Sequence, residues 1–309
     1  MAITAGMVKE LREITGVGML DCKKALMEVD GDMDKAVEYL REKGLAASAK
    51  KAGRIAAEGV AFVAISDDNK TGVIVEVNSE TDFVAKNPVF QEYVAQVADH
   101  IITSAATTTE ELLAEAWKHD NTVTVAEALS QKVAVIGENL TIRRFEKYVK
   151  DTGALVSYIH GGGRIGVMIE LACEKEHEAL EELGKNICMQ VAALNPKFVA
   201  PEDVPAEFIE HEREILTKQA MEDPKNANKP ENIIAKMIEG RLNKEMKEIC
   251  LVEQPYVKDG DLTVKKYIES VAKEVGTEIV IKKMVRFETG EGLEKKEENF
   301  AEEVAKAAR

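Results

Sequence analysis

Gly161-Gly162-Gly163, with Arg164-Ile165-Gly166 after it, meets the GxGxxG spacing of a dinucleotide site. That chemistry needs a helix directly after the glycines, because the helix N-terminus holds the pyrophosphate. Here a strand-like apolar run follows, so a hairpin turn is expected and the dinucleotide reading is rejected. His160-Gly-Gly-Gly163 imitates an esterase oxyanion motif, but the chain has no GxSxG elbow to supply a nucleophile. It has no GxxxxGKS or GxxxxGKT phosphate loop either. His100, His119, His160, His177 and His211 form no HExxH pair. Cys22, Cys173, Cys188 and Cys250 lie far apart without metal-ligand spacing, and they read as buried apolar groups in a reducing compartment. The expectation is no catalytic set, no metal and no cofactor. His160, at a hairpin tip beside glycines, divides evenly between a solvent-facing turn residue and a contact residue.

Asn78-Ser-Glu-Thr-Asp-Phe-Val-Ala-Lys-Asn87 stands apart from these. Its bland reading is a capped turn, with Thr81 or Asp82 as the cap and Phe83 packed inward. An internal repeat argues against it. At the corresponding place the second copy has Lys175-Glu-His-Glu178, so the scaffold does not require Thr-Asp-Phe. A carboxylate beside an aromatic ring at a loop tip then reads as a probe directed at a partner.

The repeat also predicts the elements that must carry this tip. Gly59, Gly72, Val73 and Glu76 recur 94 residues later as Gly153, Gly166, Val167 and Glu170, and Gln96-Val97-Ala98 recurs as Gln190-Val191-Ala192. Each copy opens with two β-branched runs around a polar or glycine-rich turn, which predicts a hairpin. In the first copy a helix follows with Phe90, Tyr93, Val94, Val97 and Ile101 on one face. Asn87-Pro88 supplies its cap and first turn. Closing strands are expected at Leu140–Phe145 and Ile279–Phe287. The fold class is α+β: two repeated subdomains, 58–148 and 149–288, each with an antiparallel three-stranded sheet and helices.

Residues 1–45 read as a small three-helix module, with its third helix ending at Gly44, and 46–57 as a partly helical linker. Apolar spacing over 202–250 predicts a helical-hairpin insertion in the second copy. Such a pair cannot bury every apolar side, which leaves a second copy or a partner to cover it. Residues 289–309, rich in Glu, Lys and Ala, read as a C-terminal module or solvated tail.

The chain has 309 residues, 45% apolar and 31% charged, with a net charge of −15. That charge argues against a general binder of nucleic acid or anionic membrane. The opening residues lack an apolar signal core, and apolar runs fall far short of the roughly 20 residues that span a bilayer. A cytoplasmic protein is expected.

Several motifs occur in a family order. They are Val8-Lys-Glu-Leu-Arg12 with Gly18-Met-Leu-Asp-Cys-Lys-Lys-Ala-Leu26, Thr81-Asp-Phe-Val-Ala-Lys86, Ile136-Gly-Glu-Asn139 with Ile142-Arg-Arg144, and His160-Gly with Arg164-Ile-Gly-Val167. Gln254-Pro-Tyr-Val257 and Arg286-Phe-Glu with Gly290-Glu-Gly292 complete the set. In these the sequence resembles the bacterial elongation factor Ts family along essentially its whole length. The resemblance implies a guanine-nucleotide exchange factor for elongation factor Tu, with a UBA-like N-terminal module. It implies that Asp82 and Phe83 enter the GTPase near its bound magnesium and that Thr81 to Val84 dislodge the ion. Ile136, Gly137 and His160 would support that contact, Met19 and Lys23 would grip the nucleotide-binding domain, and Val257 would touch another domain. A homodimer or a 2:2 complex stays open. The competing reading is a helical-hairpin dimerising scaffold that binds a GTPase without exchange activity.

Overall fold

The computed structural model describes residues 3–174, 177–226 and 229–294. The N-terminal unit contains α1 (Ala5–Thr15), α2 (Met19–Glu28) and α3 (Met33–Lys51). Thr4 and Asp32 cap α1 and α3 through their side chains, and Gly16 ends α1 in the left-handed region. Val8, Leu11, Cys22, Leu26 and Leu40 fill its small core. The expected stop at Gly44 does not occur: α3 runs on to Lys51. Gly44 is buried, and a Cβ there would lie 3.2 Å from the Cβ of Ala134. The glycine serves close helix approach rather than termination.

The first copy comprises β1 (Glu58–Ile65), β2 (Thr71–Ser79), α4 (Asp82–Ala85), α5 (Pro88–Thr103), α6 (Thr109–Ala114), β3 (Ala116–Trp117), β4 (Asp120–Thr124), α7 (Val125–Ile136) and β5 (Thr141–Val149). The second comprises β6 (Ala154–His160), β7 (Ile165–Ala172), α8 (Ala179–Leu194), α9 (Ala206–Glu222), α10 (Glu231–Ile249), β8 (Pro255–Tyr256), β9 (Asp259–Thr263), α11 (Val264–Val275) and β10 (Val280–Glu288). The sheets run β1-β2-β5 and β10-β7-β6, antiparallel throughout, with β3-β4 and β8-β9 as small separate ribbons. The molecule is α+β.

The hairpins repeat residue for residue. Val60 pairs with Val77 as Ala154 pairs with Leu171, and Ile65 with Gly72 as Ile159 with Gly166. Both closing strands carry a bulge at the equivalent point, beside Arg143 and beside Lys282. After the insertion the repeat resumes at a spacing of 139, matching Trp117 to Tyr256, Thr124-Val125 to Thr263-Val264, and Gly137 to Gly276. Gly137 and Gly276 both end their helices in the left-handed region. The pair α9 and α10 accounts for the change of spacing.

Backbone geometry explains the matched glycines. Gly59 and Gly153 have φ of +130° and +82°, and a Cβ on either would strike the opposing carbonyl oxygen, of Val77 and of Leu171. Gly72 and Gly166 lie where the two sheets meet. A Cβ on Gly72 would meet Met168 and Leu155, and one on Gly166 would meet their repeat equivalents, Ile74 and Ala61. The two copies therefore pack through the same patch on each, as in an isologous dimer within one chain. Ala61, Ile74, Tyr148, Leu155, Met168 and Phe287 form that buried layer.

A polar lock closes the assembly. Glu76 is 0% exposed and accepts hydrogen bonds from Arg143 (2.9 Å), Arg144 (2.6 Å), Asn78 (3.0 Å) and the Gly290 N–H (2.8 Å). Burial pushes its carboxyl up, but these donors outweigh that and hold it below the usual carboxylate range. Arg144 also donates to the Glu288 carbonyl, so the chain after β10 is fastened to the first sheet.

Candidate functional site

Residues 79–87 leave β2 and enter α5 through the single helical turn α4. Thr81 is extended, and its Oγ1 accepts from the Val84 N–H at 3.3 Å, so Thr81 is the cap of the two candidates. Asn87 caps α5 through the Val89 N–H, with Pro88 in its first turn. A turn pinned at both ends must present some side chains outward. Val84 and Ala85 turn into the first core, and Phe83 turns out, 81% exposed. The inward packing of the bland reading is absent. Leaving a phenylalanine ring in water forgoes about 2 kcal/mol of burial, which a complementary surface would recover.

Asp82 pairs with Lys86 at 2.7 Å across one helical turn. The Lys86 ammonium holds its carboxyl below the usual range. The acid therefore sits at the tip with its own counter-ion, which lowers the cost of carrying it into an interface.

A groove of about 430 Å³ runs beside α4, with Asp82, Ala85 and Lys86 on one side and Gly161, Gly162 and Arg164 on the other. The triglycine turn belongs to the second copy but is fixed on the first. The Gly163 carbonyl accepts from the Ala61 N–H at 2.7 Å and from Thr289 Oγ1 at 3.0 Å. All three glycines have positive φ, and a Cβ on Gly163 would lie 2.8 Å from Val60. His160 is exposed at the head of this turn, with its Nδ1 3.0 Å from the Tyr158 hydroxyl.

The structure thus brings Thr81–Val84 and the turn at His160 to one side of the molecule. Ile136 and Gly137 join them through the next residue, Glu138, which bonds Thr81. Ile136 is half-buried against the first core and Gly137 is exposed. Val84 is buried, so its part is to anchor the turn. Met19 and Lys23 lie exposed on α2 in the N-terminal unit. That unit rests on α7 through Gly44 and the Arg41–Glu127 pair (3.2 Å). Val257 lies in the β8–β9 turn of the second copy, where its N–H donates to the Gln190 side chain at 2.8 Å. It is not part of the tip cluster.

Sequence reading passed over Lys86 and Glu138. The first was available from the Asp82–Lys86 helical spacing. The second gave no spacing signal, because it reaches Thr81 from 57 positions away. All four cysteines are buried and free. Among the described residues, no group of three or more His, Cys, Asp or Glu is placed to hold a metal ion, and no helix is long and apolar enough to cross a membrane.

Comparison with known proteins gives this arrangement a class. A family model described as elongation factor TS matches residues 80–291, which take in the tip, the first copy from α4 onward, the whole second sheet and the turn at Gly290. The class is that of the translation elongation factors. The chain is 57% identical to elongation factor Ts of Clostridium novyi (strain NT) over 302 residues, covering 98% of this chain and 97% of that protein. It is 57% identical over 304 residues to the elongation factor Ts of Clostridium perfringens (strain 13 / Type A), and 54% to that of Clostridioides difficile (strain 630). These two alignments cover 98% of each chain. The chain belongs to the elongation factor Ts family.

Proposed function

We propose that this protein is the guanine-nucleotide exchange factor for elongation factor Tu. It binds the GDP-bound GTPase, displaces Mg2+ and promotes release of GDP, so that GTP can bind. It changes no covalent bond and requires no cofactor of its own. The observation that carries this reading is Phe83, 81% exposed on a capped turn beside an ion-paired Asp82.

The mechanism follows from linkage. Nucleotide and exchange factor each weaken the other's binding by the same factor. Seating the Phe83 ring between two helices of the GTPase shifts them as packed units, because cores do not deform smoothly. Thr81 to Val84 then occupy the neighbourhood of the ion, and loss of Mg2+ leaves the nucleotide phosphates poorly neutralised. His160, Ile136 and Gly137 support the tip on the nucleotide-binding domain. Met19 and Lys23 hold that domain from the N-terminal module, and Val257 holds another.

The finer organisation belongs to the same proposal. Residues 1–45 form a UBA-like module and 46–57 a linker. The core subdomains are 58–148 and 149–288, with 202–250 as a helical-hairpin insertion. The C-terminal module is 289–309, of which 295–309 lie outside the described residues. The protein works in the cytoplasm, without nucleic acid or membrane. Its test is the release of labelled GDP from elongation factor Tu with and without this protein. Acceleration is expected. Binding without acceleration would instead support a dimerising scaffold.

A further inference from the structure

We infer that Glu138 is the positioning residue of the tip: its carboxylate fixes the direction of Phe83 before any partner arrives. The inference rests on the exchange-factor reading and deepens it.

Glu138 Oε2 accepts from the backbone N–H of Glu80 at 3.1 Å and of Thr81 at 3.0 Å, and its Oε1 accepts from the Thr81 hydroxyl at 2.7 Å. The same hydroxyl oxygen accepts from the Val84 N–H. One chain of bonds therefore runs from Glu138 through Thr81 into the turn that carries Phe83. A reciprocal bond closes it, because Glu80 Oε1 accepts from the Asn139 N–H at 2.6 Å. Asn139 Nδ2 in turn donates to the Arg54 carbonyl at 2.8 Å. Residues 80–81 and 138–139 thus hold each other by side chain and backbone in both directions. Hydrogen bonds to ionised acceptors are roughly twice as strong as neutral ones.

A four-residue helix does not hold its shape alone, since nucleation is costly and so short a turn makes few bonds of its own. Phe83 makes no compensating burial in its own lobe. Val84 and Ala85 anchor the inner face of the turn in the core, and Glu138 fastens its N-terminal end, from the residue after the left-handed Gly137 that ends α7. Ile136, Gly137 and the tip consequently move as one piece. The second copy offers an internal control. Glu174 matches Glu80, but Thr277 stands where the first copy has Glu138 and carries no carboxylate. By sequence, the carboxylate at this position is present in the copy with the aromatic tip and replaced by a hydroxyl in the other. Holding the ring in its docking direction removes ordering cost from the step in which it seats within the already bound GTPase, and so acts on the maximal rate.

The test compares the full-length protein with its Glu138→Ala, Glu138→Gln and Phe83→Ala variants. Amide hydrogen exchange at Glu80 and Thr81 reads the clamp directly. Stimulated release of fluorescent GDP from elongation factor Tu gives a maximal rate and a half-saturating concentration. For Glu138→Ala, faster amide exchange and a maximal rate down about tenfold are expected. The half-saturating concentration should stay within about twofold, because the remaining contact surface is untouched. Glu138→Gln keeps one acceptor oxygen and should recover most of the rate. Unchanged amide protection in Glu138→Ala, or a maximal rate within about twofold of the parent, overturns the proposal. If the alanine variant does not fold, the glutamine variant decides: partial protection with a partial rate supports the clamp, and lost protection with the parental rate overturns it. Should the parent leave GDP release unchanged, the exchange reading fails, while amide protection still decides the clamp.

Discussion

Phe83 touches little of its own lobe, so its removal should leave the fold intact. Phe83→Ala is expected to change stability by no more than about 0.5 kcal/mol, checked by chemical denaturation, while abolishing most stimulated GDP release. A large loss of stability would mean that the ring serves the lobe. Asp82→Ala should give a smaller defect in stopped-flow nucleotide release, because the acid already shares its charge with Lys86. An unchanged rate would remove Asp82 from the mechanism. At this scale the sequence was partly legible. The divergence of Thr81-Asp82-Phe83 from the second copy marked the tip. That Thr81 rather than Asp82 caps it depends on bond angles that no spacing encodes, and that Val84 turns inward follows only once α4 exists. Glu138 was invisible for the same reason, since a side chain bonding a distant backbone leaves no periodic trace.

Elements carry two further expectations. Gly153 has positive φ and its Cβ would strike the Leu171 carbonyl, whereas Gly162 has positive φ with open space around it. Gly153→Ala should therefore cost about 2 kcal/mol or more. Gly162→Ala should cost about 1 kcal/mol. Equal urea midpoints for the two would contradict the steric account. Glu76 gives a pH dependence. Its folded pKa lies below its unfolded value, so its contribution is fully present above the unfolded value and is lost as pH falls below about 4.3. Glu76→Gln should destabilise the protein by about 3 kcal/mol at pH 7, and the gap to the parent should narrow as pH drops towards 3. A gap constant with pH would show that the charge is not what matters. Hairpins, α5 and the closing strands were legible because glycine and β-branched positions are set by local backbone. The ribbons and the matched helices α7 and α11 were not, because an insertion changes the spacing from 94 to 139 midway. Gly44 misled for a different reason: a glycine that admits a neighbouring helix looks the same in sequence as one that ends its own.

On the scale of the whole molecule, two sister lobes meet through equivalent residues and then part in what they carry. The first holds the aromatic tip and its carboxylate clamp; the second contributes the triglycine turn and the pair α9 and α10. The repeat itself announced two lobes, but nothing in it said that Gly72 and Gly166 face each other's copy, since packing between units leaves no period within either. A net charge of −15 still sets the setting: the contact must be made by shape and a few placed groups rather than by a broad basic surface. The most direct measurement is the rate of labelled GDP release from elongation factor Tu at saturating concentrations of the parent and of Phe83→Ala. The parent is expected to accelerate release by orders of magnitude, and the variant to bind the GTPase with most of that acceleration gone. Equal acceleration by both would contradict the account.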